Sequence, residues 1–222
     1  MITINLISGL GADERVFDYL QLDNYDINYI KWENPYRRET LSSYTTRLSK
    51  QIDCKKNNVI IGVSFGGIVA IELSKIINCK IVIIISSIKN KQEIPGIYKL
   101  IGKLRLLNLI PSVLLKKFKP GIHYFFGVEK KEEKLLLNSI INETDNNFLK
   151  WALGQIMRWN NIGITDNLHH IHGSKDRLFP VNKIKNSYLI ESGHHFMIVS
   201  KSQEVSKIIN NILFNELKKA SN

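Results

Sequence analysis

The sequence predicts an α/β protein: a mostly parallel sheet of about six strands, flanked by helices and interrupted by a helical insertion. Three observations carry this. Short β-branched runs alternate with helical stretches in the first half of the chain, the pattern of successive βα units. After residue 87 that rhythm stops, and only helical spacing continues. It resumes near residue 168 and runs to a closing helix.

In chain order, Thr3 to Ser8 reads as the first strand, and the glycine-containing loop Gly9-Leu10-Gly11 follows it. Asp13 can cap a short helix. Asn28 to Trp32 is the second strand, Leu41 to Ile52 a helix, and Asn58 to Val63 a third strand whose Val-Ile-Ile centre suits burial on both faces. Phe65 to Ile77 becomes helical with small residues near its start, and Lys80 to Ser86 is the most hydrophobic strand, at the middle of the sheet. Helical stretches then cover Ile97 to Leu109, Ser112 to Phe118, Glu132 to Ile141 and Asn147 to Trp159. Leu168 to His172 and Ser187 to Glu191 are the last strands, and Ser202 to Leu217 the last helix. A length of 222 residues suits one domain. Its expected division is a core of residues 1–87 and 162–222 with a helical cap of residues 88–161.

Composition is that of a folded globular chain, 44% hydrophobic and 23% charged. No apolar run reaches the roughly 18 to 20 residues of a membrane-spanning helix. Met1 to Leu10 lacks a basic leading region and a small-residue cleavage site, so it reads as a strand, and a cytoplasmic location is expected. Cys54 and Cys79 have neither metal-ligand spacing nor a histidine partner, so they read as plain thiols. The net charge of +11 is concentrated: between Ile88 and Pro120 stand Lys89, Lys91, Lys99, Lys103, Arg105, Lys116, Lys117 and Lys119 against the single acid Glu93. No nucleic-acid-binding motif accompanies them, so a solvated basic face is expected and nucleic acid is not.

The chemistry lies in Gly62-Val63-Ser64-Phe65-Gly66, a G-x-S-x-G string between a strand and a helix. A serine on a sharp strand-to-helix turn projects its hydroxyl, and the close passage of strand and helix demands tiny residues two before and two after it, Gly62 and Gly66. A serine hydroxyl needs a base, and the base an orienting acid, in the chain order Ser, Asp or Glu, His. Asp176 lies after the next strand but one, in His172-Gly173-Ser174-Lys175-Asp176, and Ser192-Gly193-His194-His195-Phe196-Met197 supplies two histidines. His169, His170 and His172 read as strand and turn residues, and Trp32, Trp151 and Trp159 as packing.

These segments resemble the α/β-hydrolase superfamily, in particular its small bacterial esterase-like members, over nearly the whole chain. The resemblance implies Ser64 as nucleophile, Asp176 as the acid in IHGSKDRLFP and a base in ESGHHFM. Alignment on Gly193 favours His194, and alignment on His195-Phe196-Met197 favours His195, the expected base. Backbone N–H groups of Phe65 and, by position, Leu10 are the expected oxyanion donors, although Ser8-Gly9-Leu10-Gly11 lacks the histidine often found in the family's His-Gly-x-Gly loop. The implied activity is cleavage of a carboxylic ester or thioester without cofactor or metal. Leu104, Leu106, Leu107, Leu109, Ile110, Leu114 and Leu115 would form an apolar slot for an acyl chain, with an acyl carrier protein or anionic lipid at the basic rim. The fold also hosts non-hydrolytic binding proteins, acyltransferases and cofactor-free peroxidases.

Overall fold

β-Branched residues favour extended backbone, and in uninterrupted runs they bury on both sheet faces. The computed structural model, which describes residues 2–22, 25–117, 119–163, 165 and 167–219, builds strands from such runs: β1 (Ile2–Ile7), β2 (Asp26–Tyr29), β3 (Asn57–Val63), β4 (Cys79–Ile85), β5 (Leu168–Gly173) and β6 (Tyr188–Ile190). Among the described residues these form one six-stranded sheet in the order β2-β1-β3-β4-β5-β6. Every neighbouring pair is parallel. The chain steps outward from β1 to β2, then returns past β1 to β3. Strand order therefore reverses between β1 and β3, and the crevice this opens at their C-terminal ends is where Gly9 and Ser64 emerge.

Alternation along the strands gives each sheet face its own core. Ile60, Val82 and Ile84 pack against α1 (Leu41–Leu48) and α2 (Phe65–Ser74). Ile61, Ile83 and Ile171 pack against α8 (Ser202–Lys219). Fully burying each such aliphatic side chain contributes about 1.5–3 kcal/mol.

Between β4 and β5 the chain is helical: α3 (Gly96–Lys103), α4 (Lys119–Phe126), α5 (Lys131–Glu143) and α6 (Asn146–Arg158), with 3-10 turns at Leu106–Leu109 and Ser112–Lys116. α5 adds Leu137 and Ile140 to the α8 side of the core, and α6 adds Phe148, Ala152 and Ile156 to the α2 side. A four-residue α7 (Met197–Ser200) precedes α8.

Some boundaries differ from the sequence reading. β2 ends at Tyr29 rather than Trp32, because after Ile30 donates to the Leu6 carbonyl at 2.9 Å the chain leaves the sheet. The helix from Ile97 stops at Lys103, where the backbone turns through a left-handed Arg105 (φ 52°) into a 3-10 turn. The sequence reading places no helix over α4, which forms with Pro120 in its first turn, where proline is well tolerated. Met1 and Phe118, at the ends of two stretches read from the sequence, lie outside the described residues. No described helix is long and apolar enough to cross a membrane.

Candidate active site

β3 ends at Val63 and α2 begins at Phe65, so one residue makes the whole turn between them. Ser64 adopts φ 53° and ψ −117°, a conformation costly for any residue with a Cβ. Both its backbone groups are anchored: its N–H donates to Ile85 at 2.9 Å, and its carbonyl accepts from the Ser87 hydroxyl at 2.7 Å and Gly67 N–H at 3.0 Å. The flanking glycines are dictated by contact. A Cβ on Gly62 would overlap the Gly66 carbonyl, and one on Gly66 would overlap the carbonyls of Ile7 and Ser8. Since these are backbone atoms, Gly66→Ala is expected to lower the melting temperature by about 10 °C or more, by forcing β1 and α2 apart.

Asp176 sits in the turn after β5, where its Oδ1 accepts from the N–H groups of Leu178 (2.8 Å) and Phe179 (2.9 Å). Its Oδ2 lies 2.8 Å from His195 Nδ1, and His195 Nε2 lies 2.9 Å from Ser64 Oγ. The structure thus brings Ser64, His195 and Asp176 into one continuous line. Asp176 and His195 are only 4% and 3% exposed. Burial by itself would raise the Asp176 pKa. The His195 charge and hydrogen bond, the nearby His172 and the Phe179 N–H outweigh it and hold the carboxyl below its ordinary value.

Two loops fix the imidazole. Gly173 and Gly193 pack so tightly that a Cβ on Gly173 would strike the Gly193 carbonyl, and the Lys175 N–H donates to that carbonyl at 2.8 Å. The His195 ring meets Phe126 edge-on (5.2 Å between centroids, 90°) and Phe179 at 5.6 Å. His194 turns elsewhere, its Nδ1 3.1 Å from the Lys175 carbonyl.

The loop after β1 lies beside the serine: Gly9 and Leu10 line a slot of about 50 Å³ with Ser64 and His195. Neither the Leu10 nor the Phe65 N–H donates a hydrogen bond among the described residues, and the first N–H groups of any helix are unpaired within it. The slot is closed by Phe126, Leu137, Ile140 and Ile141, from α4 and α5. This corrects the sequence reading: Leu104, Leu106, Leu109, Ile110 and Leu114 are exposed on the outside, and Leu107 is buried away from the slot.

Two contributors escaped sequence reasoning. Trp32, read as packing, stacks near Phe65 (5.5 Å) and its indole N–H reaches Ser8 Oγ (3.0 Å) and the Gly9 carbonyl (3.1 Å), holding the loop against the crevice. Ser87 clamps the Ser64 carbonyl. Their signal is long-range hydrogen bonding, which leaves no local pattern in a sequence.

No protein-family model matches the sequence, and no curated protein matches it with significance. Solved structures do match. From a study of carboxylesterases of the thaumarchaeon Nitrososphaera gargenis comes one with TM-score 0.73, 16% identity and coverage of 98% of this chain and 92% of that one. A lipase-esterase related protein from Clostridium acetobutylicum matches with TM-score 0.66, 18% identity and coverage of 95% and 94%. MenH from S. aureus matches with TM-score 0.68, 17% identity and coverage of 97% and 94%.

Proposed function

This chain has the α/β-hydrolase fold, and we propose that within it Ser64, His195 and Asp176 form the catalytic triad of a serine hydrolase cleaving a carboxylic ester or thioester. The observation that carries the proposal is the unbroken contact from Ser64 Oγ through both imidazole nitrogens to a buried carboxylate. In this reading His195 Nε2 takes the hydroxyl proton as Ser64 Oγ attacks the carbonyl carbon. Asp176 accepts the Nδ1 proton in a hydrogen bond and stabilises the imidazolium. The free N–H groups of Leu10 and Phe65 meet the oxyanion, and the N-terminal end of α2 adds its positive dipole there. His195 then returns the proton to the departing alcohol or thiol, and water repeats the sequence on the acyl-enzyme. No step calls for a metal or organic cofactor. The esterase- and lipase-related names among the structural neighbours support a hydrolytic reading. The helical stretch of residues 88–161 serves as the cap, through α4 and α5, that closes the acyl side of the site. The test is labelling with a fluorophosphonate probe together with cleavage of p-nitrophenyl esters. Absence of both overturns the proposal.

The slot dimensions set the acyl preference. About 50 Å³ leaves room for a few water-sized groups, so acetyl to butyryl esters are the expected substrates and octanoyl esters poor ones. Ile141 is only partly buried, so Ile141→Ala should widen the slot with little loss of stability. Each added methylene then accommodated should raise kcat/KM about fourfold, as a p-nitrophenyl ester series would report; an unchanged chain-length profile would place the acyl group elsewhere.

A further inference from the structure

We propose that α3 and the chain following it to residue 117 form a contact surface for an anionic lipid bilayer, on which the protein lies without inserting a span. The proposal does not depend on the hydrolase reading. α3 has three distinct faces. Tyr98 and Gly102, four residues apart, face inward: Tyr98 packs on the α2 side of the core, and a Cβ on Gly102 would lie 2.8 Å from Met157. Ile97, Leu100 and Leu104, spaced i, i+3 and i+7, form an outward stripe and are 58%, 50% and 57% exposed. Exposed Lys99 and Lys103 stand between the two.

Beyond α3 the pattern continues. Leu109 is 79% and Leu114 50% exposed, with Arg105 and Lys117 exposed in the same stretch. Scattered apolar residues on a surface need no explanation, but a sequence-continuous set of large aliphatics that the fold leaves uncovered marks a contact site.

The charge selects the occupant. Among the described residues Lys99, Lys103, Arg105, Lys117 and Lys119 form no ion pair. Glu93, the one acid of the segment, is buried and accepts from the Lys89 N–H, so it does not offset them. A uniformly polar acidic partner would answer the cations and leave the leucines in water. An anionic bilayer answers both, with the aliphatic stripe at the acyl boundary and the flanking cations at headgroup phosphates. No described helix could span the membrane, so the contact is peripheral.

The experiment is co-sedimentation of the full chain with phosphatidylcholine vesicles, with and without phosphatidylserine, at low and high salt. Binding is expected to the anionic vesicles, to weaken with salt and to fall about fivefold for each cation removed. The double variants Leu100→Asp with Leu104→Asp, and Lys99→Glu with Lys103→Glu, should each reduce binding at least tenfold while circular dichroism and thermal unfolding stay as in the parent. Ser64→Ala should bind as the parent does, which separates this surface from the catalytic proposal. Failure to sediment with anionic vesicles overturns the inference, as does binding unaffected by both double variants. Capture of an acidic acyl carrier protein without vesicle binding overturns it too, and gives the face to that partner.

Discussion

Ser64→Ala is expected to lower kcat for p-nitrophenyl acetate by about 10⁵-fold, leaving only the catalysis that binding and oxyanion donors supply. The magnitude follows from the proposed chemistry: without the hydroxyl no acyl-enzyme forms, and His195 has no proton to accept. A companion substitution separates chemistry from fold. Ser64 holds φ 53°, which alanine suffers as much as serine, whereas glycine adopts it freely. Ser64→Gly should therefore be equally inactive yet more stable than Ser64→Ala by about 1–2 kcal/mol, seen as a higher midpoint in urea. Retained ester cleavage by either variant would remove Ser64 from the mechanism. Equal midpoints would mean the turn is not strained.

Much of this site was legible because its constraints are local and steric. Gly62 and Gly66 must be glycine where backbone meets backbone, so the strand-serine-helix turn appears as a fixed spacing. The Ile81 to Ile85 strand reads directly from its composition because it is buried on both faces. What stayed hidden depended on the assembled fold. Alignment on His195-Phe196-Met197 favours His195 over His194; what seats its ring is how the Gly193 turn docks on Gly173, a contact between separate loops. The Trp32 indole N–H and the Ser87 hydroxyl find partners only once β2 lies beside β1 and β4 beside β3. The aliphatic run from Leu104 to Leu115 gives the same hydrophobicity whether it lines a slot or faces outward. Only the position of α4 and α5 over the serine decided between these.

Acidification from about pH 6.5 is expected to destabilise the protein steeply, and the cause lies in β5. His170 and His172, two apart on one face of that strand, are 1% and 0% exposed with ring centroids 5.0 Å apart. Burial is the first cause of a lowered pKa in both, but only at His170 do the neighbouring cations come next; at His172 the Asp176 carboxylate and the Phe179 carbonyl oppose it, so His170 is lowered the more. His172 Nε2 lies 2.8 Å from the Phe179 carbonyl and 3.8 Å from Asp176 Oδ2, and both contacts pull its pKa back up against burial. The Ser87 backbone lies beside His170, yet neither ring nitrogen completes a hydrogen bond. In the unfolded chain both histidines titrate near 6.5. Below that pH the unfolded state binds protons the folded state refuses, so stability falls as pH falls, by at most about 1.4 kcal/mol per pH unit for one histidine, with His170 contributing more than His172. Asp176 acts in a lower window: its depressed pKa contributes stability above the ordinary carboxylate range and loses it as pH drops through and below about 4. His170→Leu should remove the larger part of the slope between pH 6.5 and 5. Either tautomer of His170 buries an unpaired N–H, so the same change should raise stability at pH 7 by about 1 kcal/mol. Urea unfolding at several pH values reads both effects, and parallel pH curves for parent and variant would show that His170 takes up its proton in the folded state.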